Sequence, residues 1–302
     1  MLPIVDTHQH LWDLSRFKLP WLEWARPLDK DHLMSDYLLA TDGLEVVKTV
    51  YMEVDVEVGQ RAREAEYVID LCGSPENPMA AAVVGGSPAD AGFEAYVRPF
   101  ADEAFIKGVR QVLMGPEAER GCCLEPDFVR GVQLLGELGL SFDLCLRPSE
   151  LEDVGTLVDR CGDTLFILDH CGNADPLVVS GAKVSDPDDP FAHGRRQWME
   201  DIAALAERPN VVCKISGIIA RVVPGQWQTE DLAPTVNHCL DAFGPDRVVF
   251  GGDWPVCNWA ASYGEWAGAL RRIIADRSEA DQEKLLHKNA ERIYGLGAER
   301  QE

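Results

Sequence analysis

The sequence predicts an α/β chain folded as a single (β/α)8 TIM barrel domain over residues 1–302, and three observations carry that expectation. Eight short segments rich in apolar and β-branched residues recur at intervals of roughly 25 to 45 residues, the hydrophobic runs expected of parallel strands buried on both faces. Stretches of helical periodicity separate them, and strand followed by helix, repeated eight times, points to a βα barrel. An open doubly wound sheet shows the same alternation, but no GxGxxG or GxxxxGK turn follows the first strand to give it a phosphate-binding fingerprint.

The strand segments are IVDTHQH from Ile4, VVKTVYMEV from Val46, MAAAVVGG from Met79, FIKGVRQVL from Phe105, SFDLCLRP from Ser141, LFILDHC from Leu165, NVVCKISG from Asn210 and RVVFGGDWP from Arg247. Between them RAREAEYVIDLC, PDFVRGVQLLGELG, ELEDVGTLVDRCG, RRQWMEDIAALAE and APTVNHCLDAFG read as helices, and EKLLHKNAERIYGL as a closing amphipathic helix. Two connections are longer than a minimal barrel needs: Leu11 to Leu44 after the first strand and Asn173 to Asn210 after the sixth. Both leave strand C-termini, where barrel proteins build their pockets, so they are candidate walls or lids; passive surface loops have the same composition.

A chain of 302 residues, 46% hydrophobic, can bury a large core. Its formal charge of −23 would repel phosphate backbones and anionic lipid surfaces, so neither a nucleic-acid nor a membrane partner is expected. Nine cysteines, an odd number scattered through strand-like segments, do not form a secreted disulfide pattern and suit reduced thiols in a cytoplasm. Cys122 and Cys123 lack a second pair at zinc-finger spacing and read as ordinary small residues. MLPIVDTHQH has no basic stretch before an apolar core, and no run approaches the ~20 apolar residues of a membrane span, so a soluble, unexported protein is expected.

The chemistry sits at strand ends. His8 and His10 are two apart, which turns both imidazoles to one side of the first strand. His170 ends LFILDHC, Asp253 ends RVVFGGDWP and Glu53 sits near the end of VVKTVYMEV, each closing a run whose burial disfavours charge. A barrel brings these ends together. Singly, His170 reads equally as a capped core histidine and Asp253 as a turn cap; Glu53 fits a ligand, a substrate acceptor or a salt-bridge partner. Neutral imidazoles with a carboxylate suit one Zn²⁺ with an open position for water, while the same residues without metal could stabilise an oxyanion and take a proton. Arg110 and Arg147, at the ends of strands four and five, could grip a carbonyl or carboxylate or form surface ion pairs. Trp12, Trp254 and Asn258 could floor the pocket and orient hydroxyls, with plain packing the alternative for the tryptophans; His193 reads as a solvated loop residue.

VDTHQHLWD, KGVRQVL, FDLCLRPSEL, LDHCGNADP, PNVVCKISG and GGDWPV, running from the first strand to the last, resemble the amidohydrolase superfamily. The similarity is to its branch of metal-dependent barrel hydrolases that includes sugar-acid lactonases and pyrone dicarboxylate lactonases. The resemblance implies that His8 and His10 are the first-strand pair, His170 the sixth-strand histidine, Asp253 the acid that activates water and Arg110 a substrate contact. Members of the branch are known with one metal and with none, so the resemblance leaves metal use open. One departure concerns the carboxylated lysine that bridges two metals in many relatives. Lys107 lies about three residues, roughly 10 Å, upstream of its strand end, so at most one divalent ion is expected. The implied activity is opening of a small lactone, most simply a sugar-derived aldonolactone. The alternatives are a metal-dependent decarboxylase of unsaturated carboxylic acids and a non-catalytic barrel. The sequence carries no reading of oligomeric state.

Overall fold

The structure is a computed structural model that describes residues 1–115 and 118–296; the rest of the expected 1–302 span lies outside the described residues. Eight parallel strands follow one another around one sheet in chain order. They are β1 (Ile4–Gln9), β2 (Val46–Met52), β3 (Met79–Gly85), β4 (Ile106–Val112), β5 (Ser141–Cys145), β6 (Phe166–Leu168), β7 (Val211–Ile215) and β8 (Val248–Phe250), each inside the segment the sequence assigned to it. Helices cross between them, and the (β/α)8 barrel expected from the alternation is what forms.

The seam between β8 and β1 closes without a full ladder. A parallel bridge joins Gln9 to Trp254, and the Asp253 and His10 amides donate to the His8 and Trp254 carbonyls at 2.8 Å. Side chains complete it. Thr7 Oγ1 donates to the Phe250 carbonyl at 2.7 Å. The buried Asp6 carboxylate accepts from the amides of His8 at 3.0 Å and Gly252 at 2.7 Å and from the Tyr37 hydroxyl at 2.8 Å.

The interior has two levels. Val5, Val50, Val83, Ile167, Val212 and Val249 fill the lower one, and Ala290, Tyr294 and Leu296 close it from below. The expected closing helix forms, running without a break through Glu279–Glu283, Lys284–Lys288 and Asn289–Ile293, with its middle stretch widened to a π turn. An α-helix spreads adjacent residues by about 100°, whereas the wider turn lets neighbouring Leu285 and Leu286 both be buried. All nine cysteines are free. Among the described residues, no helix is long and apolar enough to cross a membrane.

Glu64, on the Arg61–Gly73 helix, is buried beside β2. Its Oε1 accepts from the Tyr51 hydroxyl and the Val54 amide, each at 2.9 Å, while Oε2 has no partner. Burial, reinforced by the Glu53 charge, pushes its pKa from 4.5 up to about 8. The folded chain therefore keeps a proton that the unfolded chain releases, and this stabilisation, complete below pH 4.5, is lost as pH rises to about 8. Glu64→Gln should remove a slope of up to about 1.4 kcal/mol per pH unit in that window. Urea unfolding of both proteins at pH 5 and pH 8 checks this: the variant gains on the parent at the higher pH, and an equal difference at the two pH values would contradict it.

Candidate active site

A register irregularity in β1 between Asp6 and Gln9 decides where its histidines point. Val5 faces the inner apolar level, and after the irregularity His8, three residues on, faces inward too. The His8 ring lies 4.8 Å from that of His10 and 4.5 Å from that of His170. Asp253 Oδ1 stands 3.4 Å from His10 Nε2 and 3.7 Å from His8 Nε2. All four residues are buried at the C-terminal mouth, so the residues drawn from the ends of strands one, six and eight meet in one place.

The backbone is bent to achieve this. Asp253 has φ 56°, and four consecutive residues, His170, Cys171, Gly172 and Asn173, have φ between 53° and 66°. Left-handed geometry costs a non-glycine residue about 1–2 kcal/mol, a cost that clusters at functional sites. Gly217 makes room: a Cβ there would lie 2.2 Å from His170 Nδ1, which instead pairs with Ser216 Oγ at 2.9 Å. Gly251 does the same beneath His8, where a Cβ would fall 2.7 Å from the His8 Cβ.

Under the histidines lies a buried charged level. Lys214, on β7, is fully buried, with Nζ 2.7 Å from Asp143 Oδ2, 2.9 Å from Asp169 Oδ1 and 3.3 Å from His8 Nδ1. Burial would lower the Lys214 pKa, but the two carboxylates raise it, and the group stays charged. Burial would likewise raise Asp169, yet the Lys214 charge, with a hydrogen bond from His8, holds it well below the usual carboxylate range. For His8 and His170 burial prevails, lowers both and keeps the imidazoles neutral.

These protonation states bear on metal binding. His10 Nδ1 is 2.9 Å from the Met52 carbonyl, which only accepts, so the proton of a neutral His10 sits on Nδ1 and Nε2 presents a lone pair. In that tautomer the Nε2 lone pair faces Asp253 Oδ1 at 3.4 Å. Ligands about 2.1 Å from a tetrahedral ion stand about 3.4 Å apart. The donor atoms of His8, His10 and Asp253 lie within 4.8 Å of one another, as do those of His8, Asp169 and His170. Among the described residues, the carboxyl groups of Glu53, Asp143, Asp169 and Asp253 are buried here together with two cationic side chains, Arg110 and Lys214. The residues fit one divalent cation. Lys107 is far from them, at the start of β4, lining a cleft of about 330 Å³ with Arg292 and Tyr294 at the opposite end of the barrel.

The supporting residues divide between ion pairing, packing and exposure. Arg110 does not present a free fork: Nε donates to Glu53 Oε1 at 2.7 Å, Nη2 to the Glu53 carbonyl at 2.8 Å, and Nη1 lies 3.3 Å from both Asp169 Oδ2 and His8 Nε2. Glu53 forms a salt bridge, one of its three readings; its Oε2 accepts from the Asp55 amide at 2.6 Å. Arg147 is buried, bonding Glu150 at 2.8 Å and the carbonyls of Gly115 and Ala118 at 2.6 and 2.9 Å, so it anchors the loop after β4. Trp12 spends Nε1 on the Lys30 carbonyl at 2.7 Å and packs on Trp21 and His32, while Trp254 packs on His32 and Tyr37. Asn258 is exposed in the Val256–Trp259 turn. His193 is buried rather than solvated, its Nε2 accepting from the Asp175 amide at 2.9 Å.

Asp143, Asp169 and Lys214 were missed from the sequence, although charges inside the apolar runs SFDLC, LFILDHC and NVVCKISG were the signal. Lys214→Met would leave two carboxylates without their cation, a loss of about 3–5 kcal/mol. Adding Asp143→Asn should restore part of it. Urea unfolding measures both, and a single variant within about 1 kcal/mol of the parent would refute the pairing.

Comparison with known proteins agrees with the fold. An L-fucono-1,5-lactonase of Burkholderia multivorans is 30% identical over 301 residues, covering 97% of this chain and 96% of its own. An L-rhamnono-gamma-lactonase of Scheffersomyces stipitis is 22% identical, covering 97% of this chain and 98% of its own. The crystal structure of a B. multivorans amidohydrolase with bound zinc superposes with a TM-score of 0.80 at 26% identity, covering 97% of this chain and 99% of its own. The Amidohydrolase family matches residues 5–296, nearly the whole described barrel with every residue of the cluster, and the chain belongs to that family.

Proposed function

We propose that this chain hydrolyses a small, uncharged, sugar-derived lactone, with Asp253 as the base that activates water. The observation that carries the reading is the Asp253 carboxylate set 3.4 and 3.7 Å from two imidazoles at the barrel mouth. The lactonases to which the chain is similar supply the substrate class. The arginines favour an uncharged ring within that class. Arg110 and Arg147 are both committed to protein acceptors, which leaves neither guanidinium free to pair with the carboxylates of a pyrone dicarboxylate.

His8, His10, His170 and Asp253 would hold one divalent ion, zinc by their donor chemistry, and the ion would polarise the lactone carbonyl as a Lewis acid. The protein residues do the rest. Asp253 takes a proton from water as its oxygen bonds to the carbonyl carbon, and the ring C–O bond then breaks. The departing ring oxygen recovers that proton from Asp253, and the new carboxylic acid ionises, releasing one proton per turnover. His10, with Nδ1–H fixed on the Met52 carbonyl, keeps Nε2 directed at the reacting centre. Asp169, 3.5 Å from His8 Nδ1, is the acceptor for the proton of that nitrogen, which leaves the His8 Nε2 lone pair toward the reacting centre.

Aldono-1,4- and aldono-1,5-lactones should release one proton per ring opened, and a pyrone dicarboxylate should not react. Carbon dioxide release from an unsaturated acid, with no lactone consumed, would replace this reading with decarboxylation. Purified protein should carry at most one equivalent of divalent metal, and chelation should abolish turnover until metal is restored. Asp253→Asn keeps the side chain's size but not its basicity and should lose about 10²- to 10⁴-fold in turnover. Metal content and circular dichroism are read on the same sample; turnover within a few-fold of the parent would assign the base elsewhere.

A further inference from the structure

Behind the pocket, in the apolar layer between barrel and helices, three thiols converge from separate elements. Cys171 follows His170 in the left-handed turn, Cys213 lies on β7 beside Lys214, and Cys239 is on the Thr229–Phe243 helix. All three are fully buried, and their sulfurs lie within 4.8 Å of one another. The turn that sends the His170 ring into the pocket places the Cys171 sulfur on the other side, 3.9 Å from the Lys214 carbonyl. The described residues of this group include no fourth histidine, cysteine or carboxylate.

We propose that Cys171, Cys213 and Cys239 form a second metal site, separate from the histidine cluster, that binds one copper(I) ion through three sulfurs. Metal–sulfur bonds of about 2.3 Å in a trigonal plane put the sulfurs about 4 Å apart, so a small inward adjustment suffices. Zinc in structural sites takes four ligands, whereas soft sulfur donors select copper(I). The two clusters therefore sort metals by donor: nitrogen and oxygen at the mouth, sulfur behind it. No electron moves on binding; each thiol that becomes a thiolate loses its proton to solvent as its S–Cu bond forms. Entry requires local opening of the Thr229–Phe243 helix over β7.

The test is anaerobic titration of the purified enzyme with copper(I) in competition with a chromogenic chelator, followed by X-ray absorption. The expected result is one tightly held equivalent with three sulfur neighbours. Cys239→Ser and Cys213→Ala should each lose it, with circular dichroism confirming that the variants fold. The double variant Cys122→Ser/Cys123→Ser, which alters the vicinal pair elsewhere, should keep it. No uptake by the parent, uptake retained in either core variant, loss in the vicinal variant, or nitrogen in the copper coordination sphere would each overturn the proposal.

Discussion

The structure depends on the junction at which the last strand meets the first. Seven of the eight strand contacts are ordinary neighbour pairings, but β8 and β1 are joined by one bridge and a few bonds, several to side chains. Asp6 contributes one of these, accepting from the Gly252 amide beyond β8 while it also accepts from the His8 amide of its own strand and from Tyr37 outside. The same junction carries His8, His10 and Asp253. Barrel closure and assembly of the reactive cluster are therefore one event, and a defect in the seam would separate the base from both imidazoles.

Electrostatics explains why the charged level sits where it does. In a low-dielectric interior an isolated charge is prohibitive, but alternating charges from neighbouring strands compensate one another. Lys214 satisfies Asp143 and Asp169; Arg110 satisfies Glu53 and reaches Asp169; and Asp169 in turn faces His8. This chain of partners fixes the His8 ring from below, while Met52 and Ser216 fix His10 and His170. A pocket supported this way has its geometry set before substrate arrives, which is what electrostatic preorganisation requires.

Much of this was legible in the sequence because burial and chemistry leave separable marks. Apolar runs located all eight strands, since parallel strands buried on both faces tolerate little else, and the polar residues closing those runs located His8, His10, His170 and Asp253. The partners of the arginines were not legible. Whether Arg110 grips a ligand or Glu53 depends on the register between β2, β3 and β4, which no local pattern encodes. The β1 irregularity and the π turn escaped for a related reason: each shifts side-chain phase by a fraction of a turn that only tertiary packing selects. A lysine in a strand ordinarily reads as a surface residue, and the burial of Lys214 becomes sensible only beside two carboxylates from other strands.

The plug beneath the barrel bears on how the chain is made. Val5, on the first strand of the barrel, belongs to the inner apolar level, yet the level is closed from below by Ala290, Tyr294 and Leu296. At about 5–20 residues per second, that final contact follows Val5 from the ribosome by roughly 15–60 seconds. Throughout that interval β1 has an unpaired edge and the barrel floor is open to water, the conditions under which strands pair with the wrong chain. The acidic surface, with a formal charge of −23, gives nascent copies a mutual repulsion during the wait, so a property unrelated to the chemistry at the mouth protects the route by which that mouth is built.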